Sequence, residues 1–136
     1  MKNQAGIWID GTKARIITFY DGKETIREIV SDIENHRHHQ RHEGDMENFR
    51  GSRHHDHEAT FGHRKRHLEF QYLDKVIAEV KDANEIFIMG PSGMKKKLQA
   101  RLEADKQLQA KLSGILATDH LTLNQCVEKV REFYNL

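Results

Sequence analysis

Only one cysteine, Cys126, occurs among the 136 residues. A single thiol excludes a disulfide within the chain and a zinc knuckle built on several thiolates, and it suits a reducing compartment, where we expect it to be packed and unreactive. No stretch reaches the roughly 18 apolar residues of a membrane span, and the first residues lack the basic flank and apolar run of a secretory signal. We therefore expect a cytoplasmic protein with no membrane and no disulfide partner.

An excess of charge of one sign is also missing, since 22 basic residues face 21 acidic ones. A global field that attracts nucleic acid or anionic lipid is therefore not predicted, and any such attraction must come from a local cluster. The chain has the length of one ordinary domain, for which a single core is enough. We expect one domain over residues 1–136, with a long insertion at about residues 31–66.

Three strands are predicted before the insertion. Residues 5–10 form a short apolar run, residues 14–20 are rich in β-branched and aromatic side chains, and residues 25–30 follow a second turn at Asp21 and Gly22. Such a run of strands joined by tight turns indicates an antiparallel meander.

Regular patterns return at His67, where an apolar stripe predicts a helix. Further elements are predicted in this order: a doubly buried strand at 85–89, a helix at 93–104 capped by Ser92, a short helix at 106–112, a strand at 114–118, and a closing helix after a capping box of Thr122 and Gln125. The order predicts an α/β fold with a mixed sheet of about five strands, an antiparallel meander plus parallel strands, flanked by helices.

The insertion differs in composition from the rest of the chain. It has few large apolar residues, too few to offset the entropy of ordering it, so we predict a long mobile loop. Through His67 it holds nine of the ten histidines, with seven Arg or Lys and seven Asp or Glu. Long loops of this kind are commonly functional or disordered, and we expect any function to lie here.

Two segments, GIWIDGTKARII at residues 6–17 and IFIMGPSGMKKK at residues 86–97, flank the insertion. In this order, over nearly the whole chain, they resemble the middle domain of archaeal and eukaryotic class 1 peptide-chain release factors and of Pelota, a stalled-ribosome rescue factor, with stand-alone bacterial relatives. The resemblance implies a ribonuclease-H-like fold. It also implies a translation component that sits against ribosomal RNA.

The sequence departs from this family in its catalytic motif. The release factors carry Gly-Gly-Gln in the insertion, where the glutamine assists hydrolysis of peptidyl-tRNA. This chain has no Gly-Gly-Gln and offers GSR at residues 51–53 and FGH at residues 61–63 instead. Peptide release is therefore not implied, and we expect a non-catalytic binding domain that contacts ribosomal or transfer RNA.

Local basic clusters would make that contact. The run at residues 62–67 has three fixed positive charges and no acid, and residues 95–97 are three lysines at a helix start, a place that favours anions. The candidate RNA-binding residues are Arg50, Arg53, Arg64, Lys65, Arg66, Lys95, Lys96 and Lys97. The alternative is a solvated basic patch, and the lysine segment lacks the Gly-Lys-Ser/Thr ending of a nucleotide-binding loop.

The histidines offer a second hypothesis, a metal site for zinc or another divalent transition metal such as nickel. Pairs three or four residues apart can face one ion if the segment becomes helical. The candidate ligands are His38, His42, His54, His55, His57, His63 and His67. The alternative is a solvated, pH-sensitive polar loop.

A third hypothesis is a hydrolase acting on RNA or peptidyl-tRNA. Cleavage with two metal ions would need carboxylates near strand ends or the adjacent helix, and Asp10, Asp119 and Glu79 are the candidates. The alternative for Asp10 is a structural role, because aspartate is favoured in an Asp-Gly turn, where its side chain can bond the nearby backbone. His120 is more typical of a loop or capping residue than of a catalytic base, so no catalytic residue is assigned.

Overall fold

The computed structural model describes the backbone of residues 2–32 and 54–136, and the side chains of all of these except residues 54–63. In chain order the elements are β1 (Asn3–Ile9), β2 (Lys13–Tyr20), β3 (Lys23–Val30), α1 (His54–Val80), β4 (Glu85–Gly90), α2 (Ser92–Glu103), α3 (Lys106–Lys111), β5 (Leu112–Ala117) and α4 (Leu123–Tyr134). The predicted α/β class is confirmed.

The strands form one mixed sheet in the order β3-β2-β1-β4-β5. The first three strands pair antiparallel, whereas β4 and β5 run parallel to β1, as predicted. Tight turns explain the meander: the Asp10 carboxylate accepts the backbone N–H groups of Thr12 and Lys13, each at 2.8 Å. Asp21 and Gly22 both have positive φ, the geometry of a two-residue hairpin turn.

Apolar side chains cover both faces of the sheet. On one face Ile7 and Ile88 belong to a core cluster that includes residues of α1 and α2. On the other face Trp8, Phe87 and Met89 pack with residues of α4. The central strands β1 and β4 are therefore buried on both faces, which explains why β4 lacks polar alternation.

Helix α1 starts much earlier than predicted. We expected residues 54–66 to belong to a loop, but α1 begins at His54. The part of the helix around Tyr72 and Val76 is buried in the core, which anchors the helix there. Extending a formed helix adds one hydrogen bond for each residue fixed, so polar residues without an apolar stripe can continue it. The remaining part of the predicted loop, residues 33–53, lies outside the described residues.

The two predicted helix caps have different outcomes. Thr122 and Gln125 form the predicted capping box at the start of α4. The Ser92 cap is wrong, because Ser92 is the first residue of α2, Pro91 holds the N-cap position, and no side chain caps the helix. Proline has no hydroxyl or carboxylate with which to accept a backbone N–H.

Cys126 is free and buried, as predicted. Burial raises the pKa of its thiol, and contacts with Arg15 oppose that effect. The protonated form is therefore favoured over the reactive thiolate. Among the helices in the described part of the chain, none is both long and apolar enough to cross a bilayer.

Candidate functional site

A groove lies between α1 and α2, on the face of the sheet opposite α4, with a volume of about 280 Å³. Its walls combine apolar and charged side chains. They are Arg66, Glu69, Phe70, Leu73, Lys97, Ala100, Arg101 and Ala104. An apolar lining with a few charged groups around it is typical of ligand-binding sites.

Packing on the sheet brings the two helices together. Leu73 of α1 and Leu98 and Leu102 of α2 are buried in the same core cluster. The lining residues of each helix are spaced three or four apart from Arg66 to Leu73 and from Lys97 to Ala104, so each set lies on one helix face. The groove is thus formed by the outer flanks of two helices whose inner faces are fixed by the core.

Two ion pairs bridge the helices across the groove. The Lys97 ammonium is 2.7 Å from a Glu69 carboxylate oxygen. Arg101 pairs with Asp74 one turn further along. These pairs fix the cations at the groove, although exposed pairs of this kind contribute little to stability.

Phe70 is an aromatic side chain left open to solvent in this groove. It is 55% exposed, and the Arg101 guanidinium lies over its ring, 4.9 Å from the ring centroid. Such a contact holds the guanidinium against the ring by cation–π attraction. The groove therefore presents an aromatic surface and a positioned cation side by side.

The local charge of the groove is positive, although the whole chain is nearly neutral. The residues that line it include three cations, Arg66, Lys97 and Arg101, and one carboxylate, that of Glu69. Arg64, Arg66, Lys96 and Lys97 are exposed. A cluster of one sign on a surface raises the local concentration of the opposite charge, here of anions.

The predicted RNA-binding residues divide into four groups. Arg66 and Lys97, predicted from distant segments, line the same groove. Their chain neighbours Arg64, Lys65 and Lys96 do not line it, although Arg64 and Lys96 are exposed and Lys65 is partly so. Lys95 is a correction, because it is only 6% exposed and lies on the buried side of α2 with Leu98 and Leu102. Lys95 lies three residues before Leu98 and seven before Leu102, and this helical spacing places it on the side of α2 that faces the core. Arg50 and Arg53 lie outside the described residues.

The predicted metal ligands are only partly described. The helical backbone of α1 carries two pairs at helical spacing, His54 with His57 and His63 with His67, so each pair shares a helix face. Within the described part of the chain, no group of three or more His, Cys, Asp or Glu is placed to hold a metal ion. His38 and His42 lie outside it, nothing is described of the His54, His55, His57 and His63 side chains, and the metal site stays a prediction.

Asp10 and His120 meet at the edge of the sheet where the parallel strands end. His120 Nδ1 is 3.4 Å from Asp10 Oδ2, and the imidazole lies 5.8 Å from the ring of Trp8. The Tyr72 hydroxyl donates to the Asp10 carbonyl at 3.0 Å. Burial, with a smaller effect of the Asp10 charge, raises the pKa of Tyr72, so the phenol remains a hydrogen-bond donor.

The other hydrolase candidates have separate structural contacts. The backbone carbonyl of Asp119 accepts the indole N–H of Trp8 at 3.3 Å. Glu79 lies on α1, where it pairs with Arg27 of β3 at 3.3 Å. The carboxylates of Asp10 and Glu79 thus have structural contacts, whereas the contact of Asp119 is made by its backbone, and the hydrolase hypothesis stays a prediction.

No protein-family model matches this chain, and no curated protein matches it. The resemblance to the release-factor middle domain therefore stays a prediction, made from the segments at residues 6–17 and 86–97 and the charged insertion between them.

Sequence reasoning missed two residues of the groove, Phe70 and Arg101. Each carries a weak signal: Phe70 is a large apolar residue beside the stripe of α1, and Arg101 lies one helical turn after Lys97. Neither signal reveals that the two side chains meet. Only the packing of α1 against α2 brings them into contact.

Proposed function

We propose that this protein is a non-catalytic RNA-binding domain of the cytoplasm, associated with translation, and that RNA docks along the groove between α1 and α2. One observation carries the proposal. Arg66 and Lys97, from separate segments, line one groove together with Arg101 and the exposed ring of Phe70.

The chemistry of the groove suits a phosphate backbone. Arginine and lysine neutralise phosphates and release condensed counterions, which supplies most of the sequence-independent affinity for nucleic acid. Lys97 and Arg101 are held by carboxylates across the groove, so their positions are set before a ligand arrives. Groups held in place lose less freedom on binding.

The resemblance to the release-factor middle domain favours RNA as the nucleic acid. It supports a ribonuclease-H-like fold and a place beside ribosomal or transfer RNA, and one of the two segments that carry it ends at Lys97 of the groove. The missing Gly-Gly-Gln favours binding without peptide release. The basic run at residues 64–66 lies on α1 beside the groove and would extend the contact.

Co-sedimentation with ribosomes, together with filter binding of purified ribosomal and transfer RNA, tests the proposal. We expect association at low salt and release at high salt, because phosphate contacts are weakened by competing counterions. If the protein remains unbound at low salt in both assays, the proposal is contradicted. A salt-insensitive complex would indicate that contacts other than phosphate dominate.

A metal-binding function is the second candidate, favoured by the start of α1 at His54, which puts two histidine pairs on one helix. If these pairs hold an ion, calorimetric titration with zinc or nickel after chelator treatment will show affinity well below millimolar. Joint replacement of His54 and His57 by alanine will then abolish it, whereas His120→Ala will leave it unchanged. Affinity only in the millimolar range, unaffected by the double replacement, would remove this candidate.

A further inference from the structure

The groove combines two features that a phosphate site alone does not need. Its rim is cationic, but its interior is lined by Phe70, Leu73 and two alanines. An RNA duplex or a free phosphate would not contact such an apolar surface, because both present polar groups to a protein. The ligand that matches both features has a flat apolar part joined to negative charge.

We propose that the groove binds an unpaired base of single-stranded RNA, which stacks on Phe70 while Arg66 and Lys97 hold the adjacent phosphates. This inference rests on the proposed function and names the form of RNA that the groove takes. Recognition of single strands commonly uses aromatic rings and arginine planes as stacking surfaces for splayed bases.

The exposure of Phe70 supports the stacking role. Arg101 covers one side of the ring, yet the residue keeps 55% of its surface open. Leu73, one turn along α1, is buried, so Phe70 is not needed to complete the core. A base would stack on the part of the ring that the guanidinium leaves open.

The size of the groove limits what it takes. Sites for drug-sized ligands have volumes of roughly 300–1,000 Å³. The groove, at about 280 Å³, is slightly smaller, which suits one ring system. The Glu69 carboxylate, paired with Lys97, also lines the groove.

The test compares an unstructured oligouridine with an RNA duplex of equal charge, using fluorescence anisotropy at low salt. Phe70→Leu keeps an apolar helix former and removes only the ring. We expect it to weaken binding of the single strand on the order of tenfold, with binding of the duplex and the salt dependence unchanged. Phe70→Trp should restore binding, and the new indole should be quenched by the single strand but not by the duplex.

The control is Phe133→Leu, which removes from α4 a ring that is 39% exposed and stacks on Phe87 on the opposite face of the sheet. We expect it to leave both affinities unchanged. Trp8 is buried on that same face and gives a constant background of emission. Thermal unfolding of each variant verifies that the fold is intact.

The outcomes separate the two proposals. If Phe70→Leu weakens both RNA forms equally, or neither, stacking is overturned while RNA binding stands. If the unaltered protein binds no RNA at low salt, the proposed function itself fails. If it binds an acidic amphipathic peptide instead, and Phe70→Leu abolishes that, the groove belongs to a protein partner and the proposal is also overturned.

Discussion

Gly90→Ala is expected to destabilise the fold by about 3 kcal/mol, a large part of the total stability of a small domain. Gly90 ends β4 with φ of 138°, a region that residues with a side chain rarely adopt. A Cβ there would lie 2.3 Å from the Ile9 carbonyl oxygen, which is backbone and cannot rotate away. Urea unfolding followed by circular dichroism measures the change.

Gly93→Ala is the matched control, three residues further along the chain. Gly93 is the second residue of α2, and a Cβ added there would meet nothing within 4 Å. We expect no loss of stability and a gain of up to about 1 kcal/mol, because alanine is the better helix former. Equal midpoints for Gly90→Ala and the unaltered protein would contradict the close contact between β4 and β1.

Joint replacement of Arg66, Lys97 and Arg101 by glutamine is expected to weaken RNA binding on the order of 100-fold at low salt. Three cations would be removed from the groove, and Glu69 and Asp74 would lose their partners and repel phosphate. The slope of log affinity against log salt should decrease by about 2, since each single-strand phosphate contact contributes about 0.7. Filter binding over a salt series measures both quantities.

A control variant makes the same change in net charge elsewhere. Arg27, Lys129 and Arg131 also have carboxylate partners, and replacing them by glutamine leaves the groove intact. We expect little change in affinity or salt slope. If the two triple variants lose affinity equally, binding depends on net charge alone and the groove is not the site.

Most of the fold could be predicted from local patterns. Asp-Gly turns and β-branched runs identified β1, β2 and β3, and the apolar run at residues 85–89 identified the doubly buried β4. The capping box of Thr122 and Gln125 marked the start of α4 within one residue. These signals are local, because turn chemistry and side-chain periodicity depend on residues close together in the chain.

Lys95 and the first turns of α1 were predicted wrongly for different reasons. Residue type suggested an exposed lysine, but spacing from Leu98 and Leu102 decided its burial, so helical position outweighed charge. For α1, a missing apolar stripe suggested a loop, but propagation from the packed segment extends the helix to His54. In both cases the neighbouring structure overrode the local preference.

The sequence by itself determined the α/β class, the meander, and the presence of two basic segments. Tertiary structure decided that Arg66 and Lys97 share a groove, that Phe70 meets Arg101 there, and that His120 approaches Asp10. The physical reason is range: turns and periodicity act over a few residues, whereas a groove arises only when helices far apart in the chain pack on one sheet.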